Sequence, residues 1–438
     1  MKKKVLSLVL ATTMIAGLTA CGGSEAPQDS QAAPAESNQV EQSEAAQSEE
    51  AQGTTEEVRT VDLLVWAPSE DQAEDTGNWL ATMCEKFDEE HPEWEINFSY
   101  GVCAEGDAKA TVTQDVEAAA DVYMFANDNL NDLLASGAIA RLGGATLDYV
   151  NAEIPASLVN SVTVDGAVYG IPFTSNTWFM YYNKSIFTEE DVKNLDNMLA
   201  KTKVAFPLTN SWYIASFYAA NECTLFEDGT NEAAGIDFGG DKAVAVTNYL
   251  VDLVANPNFV NDADGAGISG LTDGTIGAMF TGSWDYQNIV DAIGVENVGA
   301  AQLPTITIDG AEKQMKAFAG SKAIGVNPHC EDADVAIALA AYLGGVDAQR
   351  AHYEMRGIIP ASNTVAADDA VKADVVANAQ SATIANTSIM QPIVANMGRY
   401  WSPAENMGKA ILAKEVTHDN AAEQTELMNE SMNKDAVQ

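Results

Sequence analysis

The chain has 438 residues, with 22 Lys+Arg against 64 Asp+Glu and a formal net charge of −42. An imbalance of that size repels phosphate backbones and anionic headgroups, which excludes nucleic acid and acidic membrane surfaces as binding partners. Four histidines, and five cysteines in neither a zinc nor a CxxC spacing, provide no motif for a metal centre.

Lys2-Lys3-Lys4 precede an apolar run from Val5 to Ala20 that is too short and too rich in threonine for a stable membrane span. A basic segment followed by a short apolar one predicts an export signal over residues 1–20. The run ends Leu18-Thr19-Ala20-Cys21, which resembles the bacterial lipobox; that resemblance implies a lipid on Cys21 and a protein held at the outer face of the cell membrane. Beyond Cys21, the stretch to residue 57 is Gln, Ser, Ala, Glu and Pro, which cannot offset the entropy of ordering, so residues 21–57 are expected to be a disordered tether. Roughly 380 residues remain, enough for two lobes with a sizeable core in each. Cys84, Cys103, Cys223 and Cys330 are expected as buried free thiols.

Val61–Trp66 reads as a short buried strand, followed by the polar turn Ser69-Glu70-Asp71-Gln72. Trp79, Leu80, Met83, Cys84 and Phe87 then fall on one helical stripe that Pro92 stops. Glu95–Tyr100 is the next strand, Asp107–Ala119 the next helix and Asp121–Ala126 a third strand, after which Asp128 caps a helix carrying Leu130, Leu133 and Leu134. Strands alternating with helices predict βαβ units and a parallel sheet, whose ligands bind beyond the carboxyl ends of the strands. Those ends are Ser69–Asp71 and Phe125–Asn129.

Tyr169–Lys184 is a dense run of β-branched and aromatic residues interrupted by Thr174, Ser175, Asn176 and Thr177. Four small polar side chains inside a buried strand need a use for their hydrogen bonds. The run therefore predicts a strand that leaves one lobe, crosses a wet cleft and enters a second lobe at Trp178. Beyond it a helix is expected near 189–200, a strand over Val204–Leu208 with the turn Thr209–Tyr213, and a long helix over Asp241–Ala255. Ile276–Phe280 is a strand leading into Thr281-Gly-Ser-Trp284-Asp285 at a helix start. Val298–Leu303 and Phe318–Val326 read as strands on either side of a turn near Asp309-Gly310, and the remainder is largely helical.

Several of these stretches together resemble the extracellular solute-binding proteins of carbohydrate ABC transporters, most nearly their maltose/maltodextrin-binding branch. The stretches are the lipobox and tether, Leu63-Leu-Val-Trp66, Asp121-Val-Tyr-Met-Phe-Ala-Asn-Asp128, Tyr169-Gly-Ile-Pro172 with Tyr182-Asn-Lys184, Gly277-Ala-Met-Phe-Thr-Gly-Ser-Trp284 and Met397-Gly-Arg-Tyr-Trp401. They keep their order across nearly all of 58–415. The resemblance implies an α/β, two-lobe clamp of the type II periplasmic-binding-protein kind, with discontinuous lobes joined by crossing strands. By that likeness the first lobe is 58–175 plus 305–358, and the second is 176–304 plus 359–438. A monomer that takes malto-oligosaccharides between its lobes and presents them to membrane permease subunits is implied, with no cofactor.

The same resemblance places Trp284, Trp401, Trp212, Tyr213 and Phe125 where the family stacks rings on glucose faces. Glu70, Asp71 and Asp128 fall where sugar hydroxyls are bound. Asn176 and Asn210 stand where the best-known branch has acids, Asn129 where it has an arginine, and Ser402 where it has a tyrosine. A pyranose has apolar CH faces and a rim of hydroxyls, so aromatic planes with carboxylates or amides are the chemistry it needs. The same acids also fit as helix caps, and Trp401 among Met397 and Tyr400 also fits a core. A secreted glycoside hydrolase or a ligand sensor are the other classes open to such a chain. No GxSxG, HExxH or Walker pattern is present, no GxGxxG follows a predicted strand, and no motif picks out a carboxylate pair, so an enzyme is not expected.

Overall fold

Two β-sheets carry the architecture of the computed structural model, which describes residues 58–434. Strands β1 (Arg59–Ala67), β2 (Trp94–Val102), β3 (Val122–Ala126) and β4 (Ile171–Asn176) enter the first sheet. The second is made by β5 (Phe179–Asn183), β6 (Lys203–Phe206), β7 (Phe259–Asn261), β8 (Ile276–Thr281) and β9 (Val298–Ala301). The chain then returns to the first as β10 (Ala317–Val326) and β11 (Ser388–Met390). The orders are β11-β10-β3-β1-β2, with β4 also on β10, and β7-β6-β8-β5-β9. β1 runs parallel to β2 and β3, and β6 parallel to β7 and β8; β10 is antiparallel to β3 and β4, and β5 to β8 and β9.

Every residue of β3 and of β8 is buried, as central strands covered on both faces require. The expected stripe Trp79, Leu80, Met83, Cys84 and Phe87 is the buried face of the helix Trp79–Glu90. It joins Val65, Tyr123, Ile171 and Ile324 in the first core. Along β5 the side chains alternate between two cores. Trp178, Met180 and Tyr182 enter one with Phe206, Phe280 and Tyr400, while Phe179 and Tyr181 enter the other with Met279 and Ile289. The described cysteines are free thiols, three buried and Cys330 half-buried. No helix among the described residues is long and apolar enough to cross a membrane.

The run 169–184 divides as β4 in the first sheet and β5 in the second, with Thr177 between them. Its polar residues are used at the crossing: Thr177 Oγ1 donates to Phe318 O at 2.8 Å and Thr174 Oγ1 to Ile359 O at 2.6 Å. β10 crosses beside it. Its Phe318 packs in the second lobe's core, its Ile324 and Val326 in the first. A third passage follows residue 357, where Ala361 N donates to Phe173 O at 2.9 Å.

Three sequence expectations are corrected. The helix expected over 107–119 forms only at Ala108–Val112, since the β-branched Thr111-Val112-Thr113 and the polar residues after it are poor helix formers. The turn expected at Thr209–Tyr213 instead starts the helix Ser211–Ala220, which is buried from Tyr213 onward and so shows no amphipathic period. Residues 305–318, expected with the first lobe, send Ile306, Ile308, Met315 and Phe318 into the second lobe's core. They do so through a hairpin, Thr305–Ile308 with Ala311–Gln314, that turns at Asp309 (φ 51°) and Gly310 (φ 77°). The expected export signal, Cys21 and tether fall outside the described residues.

Candidate functional site

Strand ends from both sheets converge on a cavity of about 510 Å³. Ala126 and Asp128 reach it from the carboxyl end of β3, with Lys109 beside them. Trp284 follows β8, Trp212 opens the helix after β6, and Trp401 projects from the helix Gly398–Leu412. The crossing strands supply Asn176 from β4 and Lys322 from β10.

The three tryptophans form one wall. Trp284 is 41% exposed, and its ring folds back over Gly282, where a Cβ would lie 2.0 Å from a ring carbon. Trp212 is 6.1 Å away, tilted by 33°. Its indole N–H donates to Gln391 Oε1 at 2.8 Å, which fixes the amide of a residue only 2% exposed and leaves Gln391 Nε2 without a partner. Trp401 rests edge-on against Phe318 at 6.0 Å and Tyr400 at 5.1 Å.

Polar groups line the same cavity and the recess beside it. Asn129 Nδ2 donates to Asp128 Oδ1 at 3.0 Å while its Oδ1 accepts from Lys109 N at 2.8 Å. Although the Asp128 side chain is exposed on the cleft surface, desolvation by the protein atoms around it raises its carboxyl from the ordinary value, against the smaller pull of Asn129 and Lys109. Beside the main cavity lies a recess of about 60 Å³ that Glu70, Asp71 and Arg356 help to line. Asp71 is 2% exposed; its Oδ1 accepts from Arg356 Nε at 3.0 Å and lies 2.9 Å from His352 Nε2. Burial pushes its carboxyl up, but His352 and Arg356 outweigh that and hold it below its ordinary value. The His352 ring is in turn stacked on Trp79 at 4.0 Å.

Residues 82–379 match the family profile described as bacterial extracellular solute-binding protein. The chain belongs to that family. A solved structure described as "with acarbose" is 51% identical, covers 85% of this chain and 98% of its own, and superposes with a TM-score of 0.83. The maltodextrin-binding protein MalE1 from L. casei BL23, solved without ligand, is 23% identical with a TM-score of 0.77, over 85% of this chain and 99% of that one. A maltooligosaccharide ABC transporter solute-binding lipoprotein of Streptococcus pneumoniae (strain ATCC BAA-255 / R6) is 26% identical over 66% of this chain and 70% of its own. The fold of this solute-binding protein is the two-lobe type II clamp that the sequence led us to expect.

Of the residues singled out in the sequence, Trp212, Trp284, Trp401, Asp128 and Asn176 come together on the main cavity of the solute-binding protein. Glu70 and Asp71 lie in the recess beside it. The others are placed elsewhere. Phe125 is wholly buried in the first core, locked by Gly170 (φ +87°), whose missing Cβ would touch its ring at 2.7 Å, so it offers no face to the cleft. Tyr213 is buried and stacked on Trp178 at 4.7 Å, a support beneath the wall rather than part of its surface. Asn210 does not line the cavity; it caps the helix Ser211–Ala220 by accepting from Trp212 N at 2.9 Å. Sequence reasoning missed Lys109, Gln391 and Lys322 on the main cavity and Glu105 in the recess. Only Lys322 carried a signal, as the single charged residue in the apolar ten-residue strand β10.

Proposed function

We propose that this solute-binding protein captures malto-oligosaccharides between its lobes and presents them, as a monomer, to the permease subunits of an ABC importer. The observation that carries the reading is that Trp212, Trp284 and Trp401 line, together with Asp128 and Asn176, one cavity of about 510 Å³. Indole planes cover the CH faces of glucose units, while carboxylates and amides bind the hydroxyl rim. The net charge of −42 suits a neutral ligand. The names of the relatives support the α-glucan class, since one is a maltooligosaccharide-binding lipoprotein and another was solved with acarbose. A ligand that touches both lobes stabilises the closed form by its differential affinity for it, and the closed form is what a permease can recognise.

The reading is of a binder and not an enzyme. Glycoside hydrolysis needs two carboxyl groups flanking one bond. Among the described residues Asp128 is the one carboxylate on the main cavity, the next being Glu70, Asp71 and Glu105 in the adjoining recess, and a hydrolysis test addresses such a pair directly. Lipid at Cys21 would hold the protein at the outer face of the membrane, with residues 21–57 as the tether.

Calorimetric titration with malto-, xylo- and galacto-oligosaccharides, followed by chromatography of the recovered sugar, tests the reading. Malto-oligosaccharides should bind most tightly and return unshortened. Preference for another series would replace the sugar, and shortened product abolished by Asp128→Asn would replace binding with hydrolysis. In cells, Cys21→Ser should release the protein from the membrane fraction.

A further inference from the structure

The main cavity and the recess meet at two side chains that line both, Lys322 and Trp284. Lys322 stands on β10, opposite Ala126 of β3 and Thr174 of β4, where the β4–β10 register slips around Phe173. Trp284 belongs to the second lobe. The Lys322 ammonium lies 5.6 Å from the Trp284 ring centroid and 3.2 Å from Glu105 Oε1. Both members of the ion pair are largely buried, at 20% and 13% side-chain exposure. An ammonium in the middle of an apolar strand costs desolvation, which Glu105 and the indole face together offset.

This bridge spans the cleft. A ring face that holds an ammonium is closed to the CH face of a pyranose, because both need the same few ångströms above the indole. Behind the bridge, Glu70, Ser175 and Arg356 line the recess and offer groups suited to sugar hydroxyls. Building on the malto-oligosaccharide reading, we propose that Lys322 is a gate that sets the length of oligosaccharide the cleft accepts. With its ammonium over Trp284 the site ends at the main cavity. With the ammonium swung aside, a further sugar unit stacks on the freed face of Trp284 and reaches the recess.

Two variants test the gate: Lys322→Met, which keeps the apolar stem and removes the charge, and Glu105→Gln, which loosens the anchor of the ammonium. In the sugar-free protein, oxidation of Trp284 by N-bromosuccinimide, read by peptide mass spectrometry, should be about threefold faster in Lys322→Met, as the loss of a cation–π contact implies. An unchanged rate overturns the gate whatever the protein binds. Titration with linear di- to heptasaccharides of the malto, xylo and galacto series then reads length. In the wild type, affinity should stop rising at the length that fills the main cavity. In Lys322→Met it should rise for one unit more, with the longest sugar bound about fivefold tighter than by the wild type. Glu105→Gln should shift the same way by less. The same plateau in wild type and both variants, or a shift to shorter sugars, overturns the proposal. Binding confined to another series sinks the malto-oligosaccharide reading while its ladder still decides the gate, and a wild type that binds none of the three sinks both.

Discussion

The two walls of the cleft are built on opposite plans. On the second lobe, Trp212 stands edge-on to Tyr213 at 5.5 Å, and Trp401 rests on Tyr400 and Phe318, so the aromatic wall is the outer layer of a core that is complete without ligand. On the first lobe, Asp128, Asn129 and Lys109 form a short hydrogen-bonded chain past the end of β3, flanked by the buried Ala108 and Leu130 of the first core. Apolar contact tolerates small changes of angle, whereas hydrogen bonds weaken steeply with misalignment. In the proposed binder the rings would therefore supply affinity in any lobe arrangement, and the polar wall would add selectivity as the lobes meet.

That contrast can be broken residue by residue, beginning with the largest effect. Phe125→Ala removes a ring locked in the first core and should cost about 3–5 kcal/mol of stability in chemical unfolding, with unchanged sugar affinity in the folded fraction. A loss of affinity without destabilisation would return Phe125 to the cleft. Asp71→Asn breaks a buried carboxylate's contacts with His352 and Arg356 and should cost about 3 kcal/mol. Because the folded-state pKa of Asp71 is depressed, its stabilisation is present above the unfolded value near 3.9 and is lost as pH falls through the lower folded value. The acid limb of a pH–stability curve should thus be shallower in Asp71→Asn than in wild type. Asp128, with its pKa raised, should behave in the opposite way: its cost is present at neutral pH and is relieved on acidification, so Asp128→Asn should not destabilise at pH 7.

On the aromatic wall the balance reverses. In the Lys322→Met background, where the ring face is free, Trp284→Ala should lower affinity by about 1–3 kcal/mol, tenfold and upward in Kd, since one stacking face is lost. Its half-exposed ring should cost no more than about 1 kcal/mol of stability. Gly282→Ala should have the smallest effect. A methyl there cannot coexist with the Trp284 ring folded over the backbone, so the ring must turn outward, and in the same Lys322→Met background Kd should rise by roughly threefold with the fold intact. Equal affinity with and without Gly282→Ala in that background would mean that the pose of the ring is irrelevant to binding.

The architecture was legible where burial on both faces leaves an unbroken apolar run, as in β3 and β8, and where polar residues interrupt one, as at Thr174–Thr177. The helix Ser211–Ala220 was not, because a segment buried nearly all round loses the period that marks a helix. Family position singled out Trp212, Trp284 and Trp401, which line one cavity, yet it also selected Phe125 and Tyr213, whose rings are buried in cores. Strand and helix patterns say which residues share a face, and do not say which neighbour covers that face. The chain Trp212–Gln391 and the bridge Glu105–Lys322–Trp284 join residues far apart in sequence, so no local pattern records them.

The repeated crossing between lobes also fixes an order of assembly. β10 pairs directly with β3, and Ser321 N donates to Asn127 Oδ1 across 194 residues of chain. Neither β3 nor β4 can gain its central neighbour until nearly three quarters of the polypeptide has emerged. Contacts of such long range make folding slow, because loop-closure entropy is lost before the pairing repays it. A chain that must pass through a membrane before it folds is well served by that delay, since the first lobe cannot close ahead of the residues that finish its sheet.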